Sequence, residues 1–128
     1  MTTTNHLPQG GHYATWRQIG DWRLTAGIVP RDAARNLLGT TIEEQTAAVF
    51  DRLRAILAES GAALQDVVKI QVYLADLEEM GRFNAEYARQ MGDLKPVRTT
   101  LGCQLNGVKV EIDAVAYTGS EPVRGPLA

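Results

Sequence analysis

The sequence predicts an α+β domain in which two amphipathic helices cover one face of a sheet of about five strands. Three observations support this class. Thr41 and Glu44 have the spacing of a helix capping box. Residues 67–74 alternate apolar and polar side chains, as a half-buried strand does. In residues 95–117, Asn106-Gly107 separates two further alternating segments. The predicted element order is therefore β-β-α-β-α-β-β.

The composition and charge fit one folded domain, which we place at residues 12–117, with flexible tails at 1–11 and 118–128. The chain has 128 residues, 45% hydrophobic, and a formal net charge of −2. That charge gives no reason to expect nucleic acid binding, and no apolar run approaches the ~20 residues of a membrane span. One cysteine excludes an internal disulfide and fits a cytoplasmic setting. His6 and His12 lack partners at ligand spacing, so we expect no metal.

The N-terminal half predicts a β-β-α unit. Residues 13–19 and 22–28 form two strands around a Gly20-Asp21 turn, and Pro30 ends the second strand. Residues 31–39 form a loop. The first helix begins after Thr41 and ends at Gly61. Its apolar stripe is Val49, Phe50, Leu53, Ile56 and Leu57.

The C-terminal half predicts a strand, a second helix and a hairpin. The helix opens at Asp76 and ends at Gly92, with a stripe of Leu77, Met80, Asn84, Tyr87 and Met91. Asn106-Gly107 predicts a type I′ turn that pairs the last two strands directly. That register places Thr99, Leu101, Cys103 and Leu105 on the core side, with Cys103 as a buried structural thiol.

The same register places Arg98 and Glu111 together on the other face of the hairpin. Gly102 lies opposite Glu111 and leaves room for a small guest. A cation, a carboxylate and a gap on one face predict a binding site. The rest of this face is mixed in polarity. It is either solvated, as is common in antiparallel sheets, or shared with other subunits around ligand sites.

Several segments in order along the chain resemble the RidA/YjgF family of reactive-intermediate imine deaminases. They are Gly11-His12-Tyr13, LTAGIVP from Leu24, EEQT from Glu43, VVKIQVYL from Val67, FNAEY from Phe83, KPVRT from Lys95 and VEIDAVA from Val110. The resemblance implies a chorismate-mutase-like fold and a homotrimer around a central barrel, with ligand sites between subunits. It also implies hydrolysis of enamines and imines to 2-oxo acids and ammonia, without cofactor or metal.

The resemblance assigns the main site roles to Arg98 and Glu111. Arg98 matches the arginine that holds the substrate carboxylate, and Glu111 matches the glutamate that positions or activates the attacking water. The alternatives are a salt-bridged surface arginine, and a glutamate that pairs with Lys109 or Lys69.

Three further residues match family positions that bind substrate. Tyr13 matches a pocket tyrosine, Gly27 a glycine close to the ligand, and Asn84 an asparagine on the second helix. The chain departs from the family at Ala14 and Ala26, where serine is common.

These departures keep other functions open. The resemblance allows a specialised pathway enzyme similar to an aminomuconate deaminase. It also allows a non-catalytic trimer that binds small carboxylates. RNA cleavage is less favoured, because the chain is acidic and has no acid–base histidine pair.

Overall fold

The computed structural model describes residues 11–126, and the predicted α+β class is confirmed there. The tails predicted at residues 1–11 and 118–128 therefore fall partly outside the described residues. Two 3₁₀ turns, Leu64–Asp66 and Leu77–Glu79, precede β3 and α2. The strands are β1 (Trp16–Ile19), β2 (Trp22–Thr25), β3 (Val67–Leu74), β4 (Val97–Gly102) and β5 (Val110–Tyr117), and the helices are α1 (Ile42–Glu59) and α2 (Met80–Met91).

The first two strands are shorter than predicted. β1 begins at Trp16 rather than Tyr13, and β2 ends at Thr25, after which only Ile28 bridges to Ile112 of β5. Between Thr25 and Ile28 the backbone is irregular and runs alongside β5. This departure from the ladder opens space beside β5.

The sheet has the strand order β1-β2-β5-β3-β4, so the predicted hairpin between β4 and β5 is wrong. β3 lies between them and pairs with β4 in parallel and with β5 antiparallel. The Asn-Gly signal is local: Gly107 does adopt a turn conformation with φ of +78°. However, it lies in a connection that crosses from one side of β3 to the other. The long alternating strand β3 forms hydrogen-bonded ladders with both β4 and β5.

This topology changes which residues share a face. Directly paired residues point to the same side of a sheet. Arg98 pairs with Ile70, whereas Glu111 pairs with Tyr73. Ile70 is fully buried in the core under the helices, and Tyr73, three residues along, points to the other side. Arg98 and Glu111 therefore lie on opposite faces of one chain, contrary to the predicted shared face.

The predicted gap at Gly102 is also filled. Gly102 lies on the helix side of β4, and a Cβ built on it would lie 2.7 Å from Cγ of Leu77. The glycine therefore makes room for a leucine of the 3₁₀ turn before α2, not for a ligand.

The helices cover one face, as predicted. The Thr41 side chain accepts from the Glu44 N–H at 3.1 Å in a capping box, and Gly61 follows α1 with φ of +80°. In α2 the stripe is only partly right, because Phe83 is fully buried whereas Leu77 and Asn84 are exposed. The helices and sheet enclose a core that includes Val49, Phe50, Leu53, Ile56, Leu57, Ile70, Val72, Leu74, Phe83, Val110, Ile112 and Ala114.

The face away from the helices carries several exposed apolar side chains. Val97 is 67% exposed, Trp22 45% and Leu101 41%. The predicted core placement of Leu101 is therefore wrong, because β4 is turned over relative to the hairpin register. Cys103 is half-buried and lies outside the core cluster, so it is not the buried core thiol that we predicted. Within residues 11–126, no helix is long and apolar enough to cross a membrane.

Candidate functional site

A cleft of about 210 Å³ lies beside β5, where the chain leaves the β2 ladder. It collects three of the five predicted site residues: Tyr13, Gly27 and Glu111. Ala26 also lines it, in place of the serine that the resemblance led us to expect. A larger groove of about 790 Å³ runs along residues 117–126 and contains none of the predicted site residues.

The Glu111 carboxylate packs directly against Gly27. A Cβ built on Gly27 would overlap Oε2 of Glu111, so only glycine allows this approach. Burial raises the pKa of Glu111, and the nearby charge of Asp113 raises it further. Among the described residues no lysine or arginine forms a salt bridge with Glu111. Lys109 instead pairs with Glu79 at 3.5 Å.

Asp113 lies on the same face as Glu111 and has its own partners. Tyr73 donates a hydrogen bond from its hydroxyl to Oδ2 of Asp113 at 3.0 Å. Burial raises the pKa of Asp113, and the Tyr73 hydrogen bond and the charge of Lys69 oppose that rise. The predicted alternative of a Glu111–Lys69 pair is therefore not found, because Lys69 acts on Asp113.

Arg98 and Asn84, the other two predicted residues, meet on the helix side of β4. The Arg98 guanidinium donates to Oδ1 of Asn84 at 2.9 Å. It lies 4.7 Å from the ring centroid of Tyr87 and 5.4 Å from that of Phe83. In the described part of the chain Arg98 has no carboxylate partner, so its charge is supported only by an amide and aromatic faces.

The neighbourhood of Arg98 holds two polar groups that sequence reasoning missed. The hydroxyls of Thr100 and Tyr87 are buried and make no hydrogen bond to the described residues. Thr100 lies on the same face as Arg98, two residues along β4. The (i, i+3) spacing of Asn84 and Tyr87 on α2 was the available signal. Unsatisfied buried hydroxyls beside a cation suit a polar ligand.

The two groups of predicted residues do not meet within one chain. β3 separates β4 from β5, and Glu111 lies three β3 positions beyond the partner of Arg98. With strands ~4.8 Å apart and a rise of ~3.3 Å per residue, their Cα atoms are about 14 Å apart. Their side chains also point to opposite faces. We call these two groups the candidate half-sites, one built around the Arg98 guanidinium and the other around the Glu111 carboxylate.

The cleft also contains a feature that the sequence analysis did not single out. Arg31, Arg35 and Arg52 line it together with Glu111. Two of them come from the loop at residues 31–39, and the third comes from α1. Two arginines within five loop residues were the only sequence signal. Residues 11–126 contain no group of three or more His, Cys, Asp or Glu side chains that could hold a metal ion.

Comparisons with known proteins agree with this fold. A family model described as "Endoribonuclease L-PSP" matches residues 3–118. A RutC family protein of Pyrococcus abyssi is 36% identical over 110 residues, which cover 84% of this chain and 87% of that protein. A putative endoribonuclease of Thermotoga maritima superposes with a TM-score of 0.84 at 31% identity, covering 93% of this chain and 96% of that one. RidA of an Antarctic Psychrobacter superposes with a TM-score of 0.83 at 24% identity, which supports the fold alone.

The helix-covered mixed sheet and these matches define a small α+β protein of the L-PSP class. The chain belongs to the RidA/YjgF family, and its two helices over a five-stranded mixed sheet are the fold of that family.

Proposed function

We propose that the protein is a hydrolytic deaminase of small carboxylate-bearing imines and enamines. The observation that carries this proposal is Glu111, a half-buried carboxylate of raised pKa that lines a small cleft and forms no salt bridge among the described residues. Water adds to the C=N carbon, and the C–N bond then breaks. The products are a 2-oxo acid and ammonia, and no electrons are transferred.

Arg98 is proposed to hold the substrate carboxylate. Its planar fork can donate two parallel hydrogen bonds to a carboxylate. One amino group already donates to Asn84, and the guanidinium carbon lies over the rings of Tyr87 and Phe83. The guanidinium is therefore preorganised and lacks an internal anion in the described part of the chain.

Glu111 is proposed to move the protons. As a carboxylate it accepts a proton from the attacking water, and as a carboxylic acid it donates a proton to the leaving nitrogen. A pKa raised toward the working pH favours both steps, because the group then exchanges protons readily. Tyr13 and Gly27 line the same cleft and are proposed to bind substrate there.

A complete site then needs two copies of the chain, and we propose a homotrimer with its sites between subunits. Arg98 of one subunit faces Glu111 of the partner subunit across the cleft. Two observations support this assembly: the half-sites lie on opposite faces of one sheet, and the open face carries exposed apolar residues such as Trp22, Val97 and Leu101. Apolar patches of this kind mark interaction surfaces.

The proposal is tested by ammonia release from freshly generated 2-iminopropionate and 2-iminobutyrate. We expect Arg98→Ala to lower kcat/KM by at least about 100-fold, because a preorganised charged donor is lost. Arg89→Ala is the matched control, because Arg89 also lies on the helix side but is exposed and, within residues 11–126, pairs only with Glu86 on α2. Full activity of Arg98→Ala would contradict the proposal. Molecular mass in solution checks that each variant keeps the assembly of the wild type.

A non-catalytic trimer that binds small carboxylates is the second candidate. Ala26 favours it, because it removes a hydroxyl from the lining of the cleft. Saturable binding without ammonia release from any imino acid would support this alternative.

RNA cleavage has less support, although the matching family model carries the word endoribonuclease. The cleft has a volume of only about 210 Å³, and the chain has a net charge of −2. Nuclease activity that is unaffected by changes at Arg98 and Glu111 would indicate a contaminant.

The proposed function includes a cytoplasmic setting, where the single cysteine stays reduced.

A further inference from the structure

The rim of the Glu111 cleft is strongly cationic. Arg31, Arg35 and Arg52 all line it, and Glu111 is the only acidic residue in the described lining. Three guanidinium groups against one carboxylate leave a net positive lining in a protein with a net charge of −2. Such a concentration of one charge in a concave site attracts ligands of the opposite charge.

Main-chain carbonyls hold Arg31 in place. Its two terminal amino groups donate to the carbonyl oxygens of Arg35 at 2.9 Å and Asn106 at 3.4 Å. Gly107 leaves space for this guanidinium, because a Cβ there would lie 2.9 Å from Nη2 of Arg31 and would displace it. The loop that carries the Asn-Gly turn thus supports the rim of the cleft. The carbonyls of Arg35 and Asn106 orient the Arg31 cation without neutralising it.

The nearest acid in the loop does not neutralise these cations either. Asp32 uses one carboxylate oxygen to accept from the backbone N–H groups of Ala34 and Asn36, both at 2.9 Å. Within residues 11–126 neither Arg31 nor Arg35 forms a salt bridge. Their charge is therefore available to an anion that enters the cleft.

Arg35 is held in an unfavourable backbone conformation. Its φ is +67°, and among the described residues no other non-glycine has a positive φ. Such strain is typical of functional sites. The Arg35 charge also lies close enough to Arg52 to lower the pKa of Arg52, after the larger effect of burial. The fold therefore keeps like charges together at the rim.

We propose that this rim binds a second anionic group of the substrate. The inference rests on the proposed function, in which Arg98 of a neighbouring subunit holds the first carboxylate. The preferred substrates are then imines or enamines of dicarboxylic acids, with the reacting carbon beside Glu111 and the distal carboxylate on Arg31 and Arg35. The cleft volume of about 210 Å³ fits such a small dianion.

The test compares dicarboxylate and monocarboxylate imines. The probes are 2-iminosuccinate and 2-iminoglutarate, made from aspartate and glutamate by amino-acid oxidases, beside 2-iminobutyrate. The wild type should prefer the dicarboxylates in kcat/KM. Arg35→Asn removes the charge with a residue that tolerates positive φ, and Arg31→Gln removes the second charge. In each variant the preference should fall about tenfold, the usual effect of one charged hydrogen bond.

Arg54→Gln is the matched control, because Arg54 lies two residues from Arg52 on α1 but bonds to Gln90 outside the cleft. It should leave the preference unchanged. An unchanged preference in both Arg35→Asn and Arg31→Gln would overturn the inference. If Arg98→Ala is inactive at the same time, the proposed function survives that failure.

A separate readout applies if the wild type hydrolyses no imine, which would overturn the proposed function. Calorimetry then compares the binding of glutarate and butyrate. Tighter binding of glutarate that is lost in Arg35→Asn supports the anionic rim, and equal affinities in the wild type overturn it.

Discussion

The two half-sites on opposite faces of the sheet are built in contrasting ways. On the helix side, Arg98 is supported by the Asn84 amide and two aromatic rings. On the open side, Glu111 is half-buried beside a like charge, and both effects raise its pKa. The cation is thus oriented by polar and aromatic contacts, whereas the carboxylate is destabilised in its charged form. The Arg98 half-site therefore suits an anionic group of a ligand, whereas the Glu111 half-site suits a group that exchanges protons with it.

This contrast separates binding from proton transfer. A guanidinium keeps its charge at any physiological pH and suits a permanent carboxylate clamp. A carboxylate whose pKa is raised by burial binds a proton more readily than an exposed one and suits acid–base catalysis. Substitutions of Arg98 should therefore mainly affect substrate binding, whereas substitutions of Glu111 should mainly affect proton transfer.

The largest expected effect is at Glu111. Glu111→Gln should lower kcat by about 10²- to 10⁴-fold, the usual contribution of a general acid or base. The wild-type rate should fall as the pH falls through the raised pKa of Glu111, because the base becomes protonated. Asp113→Asn should move this acid limb to lower pH, because it removes a like charge. A Glu111→Gln variant of wild-type activity would contradict the assignment.

Glu111→Gln should also stabilise the fold. The pKa of Glu111 is higher in the folded than in the unfolded chain, so its ionisation costs stability at neutral pH. That cost shrinks and disappears as the pH falls below the pKa that Glu111 has in the folded chain. The Tm of the variant should therefore exceed that of the wild type most at neutral pH, and the difference should shrink in acid. Arg98 instead makes favourable contacts with the Asn84 amide and two aromatic rings, so Arg98→Ala removes these contacts and offers no such gain.

The next largest effect tests whether the half-sites meet between subunits. Arg98→Ala and Glu111→Gln, each inactive alone, should recover about a quarter of wild-type activity when refolded together at equal amounts, because in a cyclic trimer one interface in four receives both intact residues. Native mass spectrometry confirms that the subunits have mixed.

The double variant mixed with wild type is the control for this experiment. Sites between subunits give about a quarter of the wild-type activity in that mixture too, whereas sites within one chain give about half. No recovery in the first mixture, with half activity in the control, would place Arg98 and Glu111 in one chain.

The same comparison shows what the sequence could predict. Apolar alternation correctly predicted β3 over residues 67–74 and the buried side of β5, because one strong pattern faces the helices. For β4 the same alternation predicted the wrong side of the strand to be buried. Leu101 and Val97 are apolar but exposed, and Arg98 and Thr100 are polar but face the helices. An apolar–polar pattern cannot reveal that polar residues such as Arg98 and Thr100 face the helices, or that apolar residues face outward.

The candidate site was predictable by residue type but not by arrangement. The five predicted residues do fall into two clusters, Tyr13, Gly27 and Glu111 in the cleft, and Arg98 with Asn84 on α2. A local turn signal joined the clusters wrongly, because the insertion of β3 between β4 and β5 depends on long-range pairing. The arginine rim was missed because it forms only when the 31–39 loop folds over α1.

The smallest expected effect compares Gly27, which lines the Glu111 cleft, with Gly102 of β4, which lies outside both half-sites. Gly27→Ala places a Cβ on the Glu111 carboxylate, which must move, so kcat/KM should fall about tenfold, as expected for a misplaced catalytic group. Gly102→Ala is the matched control. Its Cβ meets the half-exposed side chain of Leu77, which can shift into solvent, so activity should stay within about twofold of the wild type. Equal losses in both variants, measured with the same imine, would show that backbone packing rather than the position of Glu111 sets the rate.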